Sequence, residues 1–163
     1  VATIDLLEEL LSEIEEIIGT TSLDCEISKY QVTPGRPAAP TGQNCNVVSV
    51  WSPGAFNGVT ELFHEDDPCV IRRGVELRWR LDLCFTETER DRTSAEQLAI
   101  STCIYGYGDA IWCGIAKRIG EKLWGDCTAV AIDPLIVAEP LGAIVSVESG
   151  FRVHLDCEPE PTS

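Results

Sequence analysis

Residues 75–85 alternate without a break. Val75, Leu77, Trp79, Leu81, Leu83 and Phe85 fall on one side; Glu76, Arg78, Arg80, Asp82 and Cys84 fall on the other. Strand side chains point to opposite faces at every second residue, so this period gives one apolar and one charged face. It predicts a half-buried antiparallel strand over Val70–Phe85, bent by a bulge at Arg72-Arg73-Gly74. A second long alternation closes the chain. Val145, Val147, Phe151, Val153, Leu155 and Cys157 share one face, and Glu148, Arg152, His154 and Asp156 the other. The pattern predicts a strand over Ala143–Cys157 that pairs antiparallel with the first.

Two stretches carry the helical period instead. Leu6, Leu7, Leu10, Leu11, Ile14, Ile17 and Ile18 recur every three or four residues, which predicts an amphipathic helix over residues 3–18. Thr3 is its expected N-cap and Gly19 its C-terminal stop. Glu8, Glu9, Glu13, Glu15 and Glu16 cover its outer side. Thr93-Ser94-Ala95-Glu96 has the form of a capping box and opens a second helix running to about Gly120. Leu98, Ile104, Tyr107, Ile111, Ile115 and Ile119 form its apolar side. Gly106, Gly108 and Gly114 inside that helix point to a kink or a close helix–sheet approach, because glycine otherwise costs about 1 kcal/mol against alanine.

Shorter elements fill the gaps. Strands are expected near Asp24–Val32, over Asn46–Trp51 with Ser52-Pro53-Gly54 as its turn, over Cys127–Ile132, and over Leu135–Glu139. Thr33–Asn44 holds three prolines and two glycines and reads as an extended loop, either functional or a surface excursion. Ala55–Pro68 is expected to wrap a sheet edge or reach a neighbour. The fold class is therefore α+β: an antiparallel sheet with two main helices packed on one face and long connecting loops. Residues 1–157 form one domain and Glu158–Ser163 a polar tail.

Charge narrows the partners. There are 27 acidic side chains against 12 basic ones, a formal charge of −15, and that field repels a nucleic-acid backbone and anionic lipid. No apolar run reaches the roughly 20 residues needed to span a bilayer, so no membrane partner is assigned. The acidic opening lacks the basic region of a signal peptide. With no Met, the chain is expected to begin just after a removed initiator, and to be made and folded in a cytoplasm. The eight cysteines show no metal-binding spacing. A cytosolic origin favours thiols, most of them small buried apolar side chains, although an oxidising medium reached later allows some disulfides. Cys103 and Cys113 lie too far apart along one helix to bond each other.

No chemistry is stated outright. His64 beside Glu65-Asp66-Asp67 invites a metal or general-base reading, but no complementary ligands stand at recognisable spacing. His154 lies on the polar side of the last strand, next to Asp156, and no nucleophile motif accompanies it. Catalytic, cofactor-binding and metal residues are all read as none, and the chain as not an enzyme.

The acidic helix TIDLLEELLSEIEEIIG, the strand GVELRWRLDLCF leading into the capped helix TSAEQLAISTCIYGYGDAI, and the closing LGAIVSVESGFRVHLDC together resemble the tail terminator and head-to-tail joining proteins of long-tailed bacteriophages. The cysteine-rich style is similar to connector proteins of phages infecting actinobacteria. The resemblance implies a structural virion protein at the head–tail junction, assembled in the bacterial cytoplasm. It would form a homo-oligomeric ring, commonly a hexamer, that caps the tail tube and meets a neck or stopper protein. DNA would pass through the ring without specific binding. On this reading Thr33–Asn44 and Ala55–Pro68 supply much of the contact between subunits or rings. Pro34, Arg36, Pro37, Phe56, Phe63, Arg72, Arg73, Arg78 and Arg80 are the expected interface residues. Charge reversal at Arg78 and Arg80 together should then disturb assembly more than folding, and deletion of Pro34–Pro40 should leave the monomer folded but block ring joining. The alternatives are another neck component (a head-completion or stopper ring protein) and a non-viral acidic α+β binding module or enzyme.

Overall fold

A computed structural model describes residues 2–40, 45–57, 71–86, 88–120, 128–138 and 141–157. In chain order the elements are α1 (Thr3–Thr20), β1 (Lys29–Val32), β2 (Val47–Asn57), β3 (Ile71–Cys84), α2 (Ser94–Gly120), β4 (Thr128–Ile132), β5 (Ile136–Val137) and β6 (Ile144–Cys157), with a single 3-10 turn at Glu89–Asp91 before α2. The strands follow the order β1-β2-β3-β6-β4, and β5 also pairs with β6.

The two long alternating strands are the centre of the sheet. β3 and β6 pair antiparallel along their whole length, from Ile71 opposite Cys157 to Cys84 opposite Ile144. Register is fixed because a one-residue slip would turn every apolar side chain outward. β3 shows no break at Arg72-Arg73-Gly74. The bulge lies instead in β2, where pairing jumps from Trp51–Arg78 to Gly54–Glu76. Ser52-Pro53-Gly54 is therefore not the turn its composition suggested. A proline has no ladder N–H to give, and a bulge tolerates it. Gly54 there takes φ +153°, open to glycine alone.

The sheet is mixed rather than wholly antiparallel, because β1 runs parallel to β2, from Lys29 opposite Val47 to Val32 opposite Val50. Parallel neighbours need a long return connection. That connection lies in the proline-rich stretch after Val32, of which residues 33–40 are described.

Both helices pack on the same face. Leu6, Leu7, Leu10, Ile14 and Ile18 of α1 and Ile100, Cys103, Ile104, Tyr107, Ile111 and Ile115 of α2 share one core with Val48, Val50, Leu77, Trp79, Leu81, Val147 and Phe151 of the sheet. Leu98 departs from expectation and is 69% exposed, because the buried stripe enters the first turns of α2 through Ile100 and Cys103. The α2 box forms as its sequence implies: the Glu96 amide donates to Thr93 Oγ1 at 3.2 Å and the Thr93 amide to Glu96 Oε1 at 3.4 Å. α1 begins instead after Ala2, whose amide donates to Asp5 Oδ2 at 3.3 Å. Gly19 lies within α1, which ends at Thr20. The α2 glycines mark close approach. A Cβ on Gly108 would meet Leu135 and Val147 at 3.1 and 3.2 Å, and one on Gly114 would meet Ile17 at 2.5 Å. Arg118, near the end of α2, reaches Glu13 of α1 at 3.1 Å, so part of the acidic outer side of α1 is paired.

Candidate functional site

The second face of the sheet carries the charged halves of both alternations, and the chain covers this face itself. From the end of β1, residues 33–40 form a strap that leaves the sheet edge and crosses β2 and β3 toward β6. The Thr33 amide starts it by donating to the Val50 carbonyl at 2.9 Å. Arg36 then forks onto Glu148 of β6, with Nη2 donating to Oε1 at 2.9 Å and Nη1 to Oε2 at 3.2 Å. Its guanidinium lies over the Trp51 ring, 5.7 Å from the centroid. Trp51 is thus only 1% exposed although it faces away from the helices. Arg80 holds the next part of the strap, donating to the Ala38 carbonyl at 2.7 Å and the Pro37 carbonyl at 3.3 Å. Its Nε reaches Asp82 at 3.0 Å, and Asp82 also accepts from Ser146 at 2.5 Å. Arg80 is 5% exposed and Asp82 1%. Buried charges persist only where each is paired and hydrogen-bonded, and here both are. A cavity of about 310 Å³ remains beneath the strap, bordered by Gln31, Arg36, Val47, Ser49, Arg80 and Asp82.

Arg78 takes a different route. Its cross-strand neighbour is Gly150, where an added Cβ would meet the Leu77 carbonyl oxygen at 2.7 Å and the Arg78 side chain at 2.9 Å. The bare backbone lets Arg78 run over β6 to Asp133 at 3.1 Å, with Glu76 at 3.3 Å and Glu148 at 3.7 Å. Asp133 interrupts the edge strand between β4 and β5. Its amide donates to the Gly150 carbonyl at 2.8 Å, and its carbonyl accepts from Trp112 Nε1 at 2.9 Å and Ser149 Oγ at 3.0 Å.

Two disulfides, which the cytosolic reading did not favour, tie the surrounding segments. Cys45 and Cys84 are bonded with Cα atoms 5.1 Å apart, and Cys25 and Cys103 with Cα atoms 6.1 Å apart. The first follows from register. Val47 pairs with Asp82, so two further residues along each strand bring Cys45 opposite Cys84. The second joins the segment after α1 to α2, where Tyr107 also donates its hydroxyl to the Cys25 carbonyl. Cys113 is a free, exposed thiol. A groove of about 840 Å³ near the start of α2 is bordered by Cys25, Cys103 and Cys84 together with Leu23, Phe85 and Leu98.

The expected interface residues divide accordingly. Pro34 and Arg36 lie exposed on the strap and Pro37 is half-buried there. Arg78 and Arg80 are used inside the monomer, so their charges are not held out toward a neighbour as expected. Phe56 lies in β2 opposite Gly74, and Arg72 and Arg73 lie in β3 opposite Asp156 and Leu155. Phe63, the His64–Asp67 cluster, most of Ala55–Pro68 and the Glu158–Ser163 tail fall outside the described residues. Among the described residues, no group of three His, Cys, Asp or Glu side chains converges as a metal set. No described helix is long and apolar enough to cross a membrane. The surface features that patterning missed are apolar: Ile136 is 49%, Val137 36% and Leu141 58% exposed at the β5 edge.

The strap has a predictable response to acid. Burial pushes the Glu148 carboxyl up, but the hydrogen bond from Arg36 and the charges of Arg36, Arg78 and Arg80 outweigh it and hold the pKa below the usual 4.5. A depressed carboxylate stabilises the fold above its unfolded pKa and loses that contribution as pH falls through the folded value. Thermal melts of the wild type and Glu148→Gln between pH 7 and pH 3 check this. The wild type should melt higher at neutral pH, and the difference should close as the pH drops below about 4.3. No protein-family model matches this chain, and no curated protein matches it.

Proposed function

We propose that the chain is a structural virion protein of the bacteriophage head–tail junction: a tail terminator whose subunits close into a ring, commonly a hexamer, capping the tail tube beneath the neck. The observation that carries this reading is the layout of the domain. Two long paired strands form the centre of one sheet, an acidic first helix and a capped second helix cover one face, and the polar face is closed by the chain's own loop. The charged groups that patterning singled out serve internal pairing, which suits an assembly part more than a catalyst. An overall charge of −15 suits a channel that DNA crosses without being gripped.

Within this reading the ring contact needs a surface other than Arg78 and Arg80. The β5 edge qualifies. It consists of exposed Ile136 and Val137, with exposed Leu141 a few residues on, and sheet edges bordered by apolar side chains invite pairing with another chain. The exposed outer side of the strap, at Pro34 and Arg36, remains a second contact. Heterologous contacts of this kind close when the rotation closes. Val137→Lys should leave the monomer's melting temperature nearly unchanged and abolish ring formation, as read by electron microscopy of the protein mixed with tail tubes. Intact rings carrying Val137→Lys would remove the β5 edge from the interface. Failure of the wild-type protein to cap tube ends at any concentration would count against the terminator role itself. A ring found above the neck and not on the tube end would assign the chain to the stopper position.

A further inference from the structure

We propose that the bond between Asp133 and Pro134 is a self-cleavage site, where the fold promotes scission of an already labile peptide bond. The nitrogen of a proline peptide is a tertiary amide with no N–H. It takes a proton more readily than other peptide nitrogens, and an aspartate before it carries a carboxylate within reach of its own carbonyl carbon. The structure adds a fixed geometry to this local chemistry. The Asp133 carbonyl accepts from two donors on different elements, Trp112 Nε1 of α2 at 2.9 Å and Ser149 Oγ of β6 at 3.0 Å. The Asp133 amide is anchored to the Gly150 carbonyl at 2.8 Å. Arg78 holds the side chain by Oδ2 at 3.1 Å, which leaves Oδ1 as the nucleophile. Pro134 is exposed, so water reaches the bond.

Donors aimed at a carbonyl oxygen before charge develops there are what stabilises an oxyanion. A single partner is enough to satisfy a backbone carbonyl. Here a serine that is 1% exposed and a half-buried indole converge on the one carbonyl that precedes a proline at the sheet edge. Both donors come from rigid elements, α2 and the central strand β6, so neither has to move as the oxygen gains charge.

The step is a hydrolysis in two stages. Asp133 Oδ1 attacks the Asp133 carbonyl carbon, and the carbonyl electron pair moves onto the oxygen that faces Trp112 and Ser149. The oxyanion then re-forms its double bond and the C–N bond breaks. Pro134 takes a proton from solvent and leaves as a secondary amine, and Asp133 is left as a cyclic anhydride. One water opens the anhydride to two carboxyl groups. The product is a nicked domain, because β6 stays paired with β3 from Cys157 opposite Ile71 to Ile144 opposite Cys84. The cut separates β4 from β5 along the chain. It is a property of the monomer and stands apart from the ring proposal.

The test follows the full chain by intact mass after reduction. The bond between Asp67 and Pro68 has the same chemistry and serves as the internal control. One sample is kept folded at about pH 5, where aspartates are largely ionised, with near-ultraviolet circular dichroism reporting the fold. A second is held in denaturant at the same pH. The folded chain should yield fragments 1–133 and 134–163 at least about tenfold faster than the denatured chain, a modest gain beside the roughly 10²–10³ that one oxyanion donor contributes in an enzyme. Ser149→Ala and Trp112→Phe should each remove most of that gain, and Asp133→Ala should abolish the cut. Cleavage after Asp133 that is no faster in the folded chain overturns the proposal, as does equal acceleration after Asp67. Unchanged cleavage in folded Ser149→Ala and Trp112→Phe also overturns it. The comparison of folded with denatured wild type needs no variant, so it decides even where a substitution unfolds the chain.

Discussion

Arg80→Glu is expected to unfold the domain at physiological temperature or bring it close to unfolding. The substitution places a carboxylate beside Asp82, which is 1% exposed, and removes the donors to the Pro37 and Ala38 carbonyls. Breaking a buried ion pair by removing one partner costs about 3–5 kcal/mol, and here a like charge is added. Domains of this kind hold only about 5–15 kcal/mol in total. At about 2–4 °C per kcal/mol for a chain of this length, the melting temperature should fall by roughly 10 °C or more. A melt followed by circular dichroism checks this. A variant that melts like the wild type would show that Arg80 is not tied into the monomer, and would restore the alternative in which its charge is held for a neighbour. Sequence patterning gave the opposite ranking, with assembly disturbed before folding. Alternation identifies a polar face but not what lies over it, and here Pro37 and Ala38 lie over Arg80.

Gly150→Ala should be the second most damaging small change. Its added Cβ would lie 2.7 Å from the Leu77 carbonyl oxygen, a backbone atom fixed by the β3–β6 ladder, and 2.9 Å from the side chain of Arg78. Overpacking of this sort costs about 1–3 kcal/mol. The loss should extend beyond the clash, because Arg78 would be pushed off its path to Asp133 and Glu148. A double-mutant cycle separates the two parts. With Arg78→Ala in the background, Gly150→Ala should cost less than in the wild type, since one of the two collisions is gone. Equal costs in both backgrounds would mean that the glycine serves only the backbone approach to β3.

Much of the fold was legible in the chain. The alternations at Val75–Phe85 and Val145–Cys157 gave the two central strands and their pairing, because a period of two has one physical solution when half of it is apolar. The spacing of Leu6 through Ile18 and the Thr93–Glu96 box gave both helices for the same kind of reason. What remained hidden depended on three-dimensional return paths. The parallel pairing of β1 rests on where the chain after Val32 enters the sheet again as β2, which no local pattern encodes. The Cys45–Cys84 bond required the β2–β3 register, and a compartment argument pointed away from it. Leu98 was placed in the core by its chemistry, yet it lies off the stripe that Ile100, Cys103 and Ile104 define.

The candidate site was less legible than the fold. Arg36, Pro37 and Arg80 were singled out together, and they do meet, but within one chain. Trp51 is buried on the strap's side of the sheet, beneath Arg36, and not by the helices. The exposed β5 edge escaped notice because Ile136, Val137 and Leu141 form no periodic run.

The most direct test of the central proposal is localisation. Intact particles from a lysate containing this chain can be labelled with an antibody to it and viewed by electron microscopy. The account predicts a single ring of label at the tail-tube end beneath the neck. Label distributed elsewhere on the particle, or no particle bearing the chain at all, would contradict it.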